Sequence, residues 1–266
     1  MLIAAVYGLF GCIIGSFLNV VVMRRGIRSV AGRSGCLSCG SQLHVRDLIP
    51  ILSWVALGGR CRSCGSGISV HYPLVEGATA FTFACIGGAM LAPLESVLAC
   101  IVAALFIAIA AYDVRHTIIP DEWAYSAGGM ALVYALTLSS QAPLLTLLSG
   151  PIAALPLFLL WLVSRGRWMG LGDSKLALGI GWLLGPVYGI YAVSLSFIIG
   201  AVLSVVILLP LPYYRRVMRK AGIARGWRAS SYTMKSEVPF GPFLILACFY
   251  VWFSLLYHIP LPVALF

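Results

Sequence analysis

Charge is what this chain has least of. Only 10% of its 266 residues are charged and only eight are acidic, against roughly 25% charged residues in an average soluble domain. That scarcity excludes a soluble globular enzyme and a charge-rich disordered chain. Glycine and proline, 28 and 14 in number, follow no three-residue period, which excludes collagen. There is no Gly-x-Ser-x-Gly turn for a serine hydrolase, no His-Glu-x-x-His zinc helix and no phosphate-binding Walker loop. The histidines are too dispersed for one catalytic cluster: His44, His71 and His116 fall in one set of loops and His258 at the opposite face.

What is present is apolar. Hydrophobic residues make up 61% of the chain and the mean hydropathy is +0.99. This predicts an all-α polytopic membrane protein. Eight stretches have the length and apolarity of spans: about 2–23, 74–92, 96–112, 123–139, 146–163, 173–186, 187–210 and 240–258. The sixth is short and rich in glycine. The net charge of +10 is confined to alternate connections. Arg24, Arg25, Arg28, Arg33, Arg46, Arg60 and Arg62 lie between spans 1 and 2, and Arg115 between spans 3 and 4. Arg165, Arg167 and Lys175 lie around the start of span 6. Arg215, Arg216, Arg219, Lys220, Arg225, Arg228 and Lys235 lie between spans 7 and 8. The positive-inside rule puts these connections in the cytoplasm and both termini outside. The basic balance therefore reads as topology and argues against nucleic acid as a partner. Span 1 has no basic run before it and arginines after it, so it reads as a retained anchor and not a cleaved signal. Trp54, Trp123, Trp161 and Trp168, near span ends or in loops, suit interfacial anchoring.

This divides the chain into a first span (1–23), a polar insert (24–73) and a helical membrane core (74–266). The insert carries Cys36-Leu-Ser-Cys39-Gly and Cys61-Arg-Ser-Cys64-Gly, two repeats separated by 21 residues. Each Cys-x-x-Cys turn aims two sulfurs at one point, and four thiolates at this spacing make a tetrahedral structural zinc site. Two disulfides are the competing reading, and a reducing cytoplasm argues against them. An iron centre, a redox pair and unmetallated thiols are the remaining alternatives. Cys12, Cys85, Cys100 and Cys248 are scattered within spans and read as small apolar packing residues.

The acidic residues are Asp47, Glu76, Glu95, Asp113, Asp121, Glu122, Asp173 and Glu237. A carboxylate in or beside a span costs several kcal/mol by most estimates and needs a reason. Asp113 ends span 3 and Asp173 begins span 6, so both fall at the same boundary on different helices. Facing each other across a cleft, they have the chemistry of an aspartic pair, one carboxylate activating water and the other polarising a carbonyl. Gly170 and Gly172 leave room there for a substrate backbone. The structural alternatives are an ion pair of Asp113 with Arg115 and helix capping by Asp173. Asp121 and Glu122 suit the dipole at the start of span 4. Glu76, near the start of span 2, is equally suited to dipole compensation and to a site. Lys175 either tunes Asp173 or marks the boundary.

At this point the chain resembles the type IV prepilin peptidases. The matching segments are Gly15-Ser16-Phe17-Leu18-Asn19-Val20-Val21, the twin Cys-x-x-Cys insert, Asp47-Leu48-Ile49-Pro50 with Ser53-Trp54, and Gly59-Arg60-Cys61-Arg62. They continue with His71-Tyr72-Pro73-Leu74-Val75-Glu76, the two aspartate motifs ending in Ile119-Pro120-Asp121 and Gly170-Leu171-Gly172-Asp173, and Pro239-Phe240-Gly241-Pro242-Phe243. One departure is Leu37, where the family often has proline. The resemblance implies that Asp113 and Asp173 are catalytic and that the enzyme removes a short basic leader from prepilins or pseudopilins on the cytoplasmic side of the inner membrane. It further implies N-methylation of the new N-terminus with S-adenosylmethionine as methyl donor. The sequence itself names no donor contact, and the candidate region is the insert with its neighbours, Glu76 among them. Two alternatives stand beside it: a transporter or interaction protein with structural carboxylates, and a peptidase without methylation.

Overall fold

The computed structural model describes residues 1–26, 29, 31–138, 142–208 and 239–262. Arg28, Glu237 and the seven basic residues expected between the last two spans lie outside the described residues. The described chain is helical, without strands, and has only two isolated bridges. The long helices are α1 (Leu2–Arg24), α3 (His71–Gly88), α4 (Pro93–His116), α5 (Asp121–Leu138), α6 (Pro143–Ser164), α7 (Leu171–Leu184), α8 (Pro186–Leu203) and α9 (Gly241–Leu256); α2 (Leu52–Ala56) is a short helix in the insert.

Each expected span thus coincides with one helix. Among the described residues, four helices are long and apolar enough to cross a membrane: Leu2–Arg24, Pro93–His116, Pro143–Ser164 and Pro186–Val206. The protein is therefore a multi-pass membrane protein. The others are shorter or carry polar ends. The 14 residues of α7 reach about 21 Å, less than the roughly 30 Å of a hydrocarbon core, and α7 lies among α5, α6 and α8.

The helix boundaries follow local chemistry. Pro93, Pro143 and Pro186 stand at first helical positions, where the missing N–H costs nothing. Ala92 N–H donates to Glu95 in the first turn of α4. Gly185 at φ 83° separates α7 from α8. At the centre is α4, buried on one face through Val102, Phe106 and Ile109 and on the other through Ile107, Ala108 and Ala111, and packed on α3, α5, α9 and α1. In contrast, α1 leans on α3 and leaves Leu2, Val6, Leu9, Phe10, Ile13 and Phe17 exposed.

Helices α6 and α7 approach closely because both are small at the crossing. A Cβ on Gly181 stands 2.6 Å from Ala153 Cβ and 2.9 Å from Gly150 Cα. Gly181→Leu is expected to destabilise the bundle by about 1–3 kcal/mol through overpacking. Thermal unfolding in detergent is the measurement, with a lower midpoint expected.

Candidate active site and cysteine cluster

The two aspartates come from elements that meet at one end of the bundle. Asp113 sits in the last turn of α4, which Thr117 closes in a left-handed conformation, its N–H on Asp113 O. Asp173 is the third residue of α7, whose N-cap is Gly170. Both side chains are buried, with residue exposures of 4% and 9%. Both line one cavity of about 770 Å³, together with Thr117–Ile119, Gly166–Gly172, Phe197, Gly200, Ala201, Ser204 and Pro239, Phe240 and Phe243.

The ion pair raised for Asp113 does not form. Arg115 bonds Met23 Sδ, whereas Asp113 Oδ2 accepts the Gly241 N–H at 3.0 Å. Asp173 lies in the first turn of α7, where an acid also suits the helix dipole. Lys175 pairs with Asp121 at 2.7 Å, and Glu122 with Arg25 at 3.0 Å. Arg25 also stacks its guanidinium over Trp123, 4.6 Å from the ring centroid. The acidic pair at the start of α5 is thus bonded to cations from α1 and α7, which draws the same ends of the helices together.

Ile119 spaces the two motifs. A Cβ on Gly172 stands 2.9 Å from Ile119 Cβ, and one on Gly241 stands 3.3 Å from Ile119 Cδ1. The glycines before Asp173 therefore serve helix approach as well as access. Gly241 carried a motif in the sequence but no role. Its backbone donor has no side-chain signature, and a lone Phe-Gly-Pro at a helix start is the only hint.

Elsewhere in the chain, Cys36, Cys39, Cys61 and Cys64 converge in the insert, with their sulfurs all within 4.8 Å of one another. All are free thiols, so no disulfide competes. Two matching knuckles build the cluster. Cys36 N–H bonds Ser41 O at 2.9 Å and Gly40 N–H bonds Cys36 O at 2.9 Å. Cys61 N–H bonds Ser66 O at 2.8 Å and Gly65 N–H bonds Cys61 O at 2.9 Å. Gly40 and Gly65 close them at φ 71° and 69°, a region open to glycine. Backbone N–H groups of Cys39 and Ser38 push the Cys36 thiol down to about 6, and the Ser41 hydroxyl lowers Cys39. The Cys36–Cys64 sulfur separation is 3.9 Å. A tetrahedral site with metal–sulfur bonds of about 2.3 Å has sulfur–sulfur edges of about 3.8 Å, so the cluster fits a metal ion.

The rest of the insert wraps this cluster. Trp54 packs on Gly59 and donates to Ile68 O at 3.1 Å, so it is a core residue of the insert and not an interfacial anchor. Arg62 holds Asp47 by two hydrogen bonds, 2.8 and 3.0 Å, and keeps its carboxyl below the usual range. A depressed carboxyl contributes fully above the ordinary carboxylate range and loses its contribution as pH falls through the lowered value.

Glu76 lies apart from the aspartate cavity. Its Oε2 accepts the Ile51 N–H at 2.7 Å. Ile51 stands at φ 60°, ψ −52°, a strained γ-turn for a β-branched residue, with Leu52 N–H on Pro50 O at 2.5 Å. Glu76 so fastens the insert to α3. The adjoining α1–α3 seam is tight, since a Cβ on Gly15 stands 2.7 Å from Glu76 Cα. One turn further along α1, Asn19 is 2% exposed. Its amide donates to Tyr72 O at 3.1 Å and its Oδ1 has no partner.

Taken together, fold and site define a polytopic helical membrane protein with two buried carboxylates in one end cavity and a four-thiol insert. Comparison with known families narrows this. Residues 9–89 match the bacterial peptidase A24 N-terminal domain, and residues 100–205 match the type IV leader peptidase family. The chain is 33% identical over 207 residues to the type 4 prepilin-like proteins leader peptide-processing enzyme of Escherichia coli O78:H11, an alignment covering 66% of this chain and 75% of that one. It is 34% identical over 207 residues to the prepilin leader peptidase/N-methyltransferase of Dickeya chrysanthemi, covering 66% and 73%. The enzyme of the same name from Pseudomonas aeruginosa is 28% identical over 291 residues, covering 94% and 88%. No solved structure matches the chain. The chain belongs to the type IV leader peptidase family and is a peptidase.

Proposed function

We propose that the protein is a membrane-embedded aspartic endopeptidase that removes the short basic leader of type IV prepilins or pseudopilins at the cytoplasmic face of the inner membrane. The observation that carries this is the pairing of Asp113 and Asp173, buried on α4 and α7, in one cavity. Carboxylates sharing a site share a proton. The ionised one takes a proton from water, whose oxygen bonds to the scissile carbonyl carbon. The protonated one gives its proton to the carbonyl oxygen. Collapse of the resulting diol breaks the C–N bond, and the leaving amine takes up a proton. Gly170 and Gly172 add no side chains beside Asp173, which suits an extended peptide backbone.

The substrate's own chemistry supports this placement. A leader rich in Lys and Arg stays in water while its apolar helix lies in the bilayer, so the bond between them falls at the boundary. The arginines of the insert do not attract such a leader. Their role is topology and contact with anionic lipid headgroups. The test is mass spectrometry of a prepilin incubated with membranes containing the protein. A product shortened by the leader supports the reading, and an uncut substrate overturns it.

The four cysteines are the ligands of a structural zinc ion, closed to substrate because no fifth position is needed. The same chain acts as an N-methyltransferase on the new N-terminus. S-adenosylmethionine supplies a methyl group from a cationic sulfonium centre. Glu76 and the unpartnered Asn19 Oδ1 are acceptors of the polarity such a donor requires. Glu76→Gln separates this role from the Ile51 contact, because the amide oxygen still accepts that N–H. Leader cleavage is expected at the wild-type rate, with methylation of the product reduced about tenfold or more, the loss of one charge-assisted contact. Product masses with and without S-adenosylmethionine provide the measurement, and full methylation removes Glu76 from the donor site.

A further inference from the structure

The first N–H within α9 is given to Asp113. A helix begins with N–H groups that have no intrahelical partner. In α9, Pro242 has none, Phe243 N–H bonds Phe240 O at 3.0 Å and Leu244 N–H bonds Phe240 O at 3.2 Å. Phe240, the N-cap, makes no side-chain cap bond. That leaves Gly241 N–H, which crosses to Asp113 Oδ2 at 3.0 Å. The contact is buried and joins residues 128 apart in the chain. It is open only to glycine, because a Cβ at 241 stands 2.7 Å from the same oxygen. An aspartate carboxylate rotates over a broad torsional well unless something fixes it. Here the fixing group is rigid backbone at a helix start, on an element outside the 100–205 family match.

We propose that Gly241 is a positioning residue for Asp113: its amide pins one carboxylate oxygen and so turns the other toward the substrate. The proposal rests on the reading of Asp113 and Asp173 as the reacting pair. Removing the pin leaves binding intact and spoils alignment, and misplacement on the ångström scale costs on the order of 10²-fold in rate.

The test removes the Gly241 N–H; the ester also weakens Phe240 O as the acceptor of Phe243 and Leu244, which a second ester controls for. The full chain is made by cell-free translation into lipid nanodiscs with glycolic acid at position 241, so that an ester oxygen stands where the N–H was and no atom is added. A second ester, the hydroxy-acid analogue of leucine at position 244, removes the intrahelical bond to Phe240 O in the same turn and leaves the Gly241 N–H in place. Leader cleavage is followed for kcat and KM. The expected result is a kcat lower by about 10- to 100-fold for the 241 ester with KM within about twofold, and near wild-type kcat for the 244 ester. Unchanged kcat at 241 overturns the proposal, as does an equal fall for both esters, which reports helix stability alone. Asp113→Asn, run alongside, keeps two failures apart. Full cleavage there overturns the aspartate reading and this proposal with it. Loss there beside a fully active 241 ester overturns the proposal alone.

Discussion

Asp113→Asn and Asp173→Asn will each abolish leader cleavage, by about 10³-fold or more, while the protein remains folded in the membrane. The magnitude follows from the loss of a general acid or base, worth about 10²–10⁴, in a pair whose members act as a unit. The fold should survive because asparagine keeps the size of the side chain and its Oδ1 still accepts the Gly241 N–H. Both sites are buried, with residue exposures of 4% and 9%, so exchanging a carboxylate for a neutral amide does not strand a charge. A double variant should be no slower than the single ones. The measurement is initial rate on a synthetic prepilin in membranes, with detergent-extracted protein checked for the wild-type unfolding midpoint. Full activity in either single variant would remove that aspartate from the mechanism.

Zinc removal is the second large effect. Cys36→Ser or Cys64→Ser should strip the metal and unfold the insert, because structural zinc contributes about 10–16 kcal/mol to small domains of this kind at neutral pH. Between Arg24 and His71 the described residues form only a short 3-10 turn, Val45–Leu48, and the five-residue α2. Their apolar core is little more than Trp54 against Gly59, too small to hold the insert without a staple. Metal analysis of purified protein should give one zinc per chain in the wild type and none in the variants. Limited proteolysis should then cut within residues 24–70 of the variants and of chelator-treated wild type, while the helical core stays intact. A metal-free wild type with a protease-resistant insert would count against the assignment.

Much of this architecture was legible in the sequence because its signals are carried by side chains. Apolar runs marked the helices, with ends displaced by a few residues, and the starts of α4, α6 and α8 are fixed by proline. The matched Cys-x-x-Cys turns announced their cluster, and the span-end positions of Asp113 and Asp173 made them a candidate pair that only the family resemblance set above the structural readings. What escaped is carried by backbone. The Gly241 donor, the γ-turn at Ile51 and its N–H on Glu76 have no residue type that advertises them. Lys175 was read beside Asp173, its neighbour in sequence, but bonds Asp121 across a helix pair. The sixth span already stood out as short and rich in glycine, and the 14 residues of α7 reach about 21 Å, less than a full crossing.

Hydrolysis consumes a water molecule for every bond cut, and a bilayer holds almost none. Asp113 precedes the end of α4 by three residues, about 4.5 Å, and Asp173 is the third residue of α7. On the proposed mechanism, water reaches the pair at the end of the bundle, within a turn of both helix ends. On that reading the reaction needs no water channel through the membrane core.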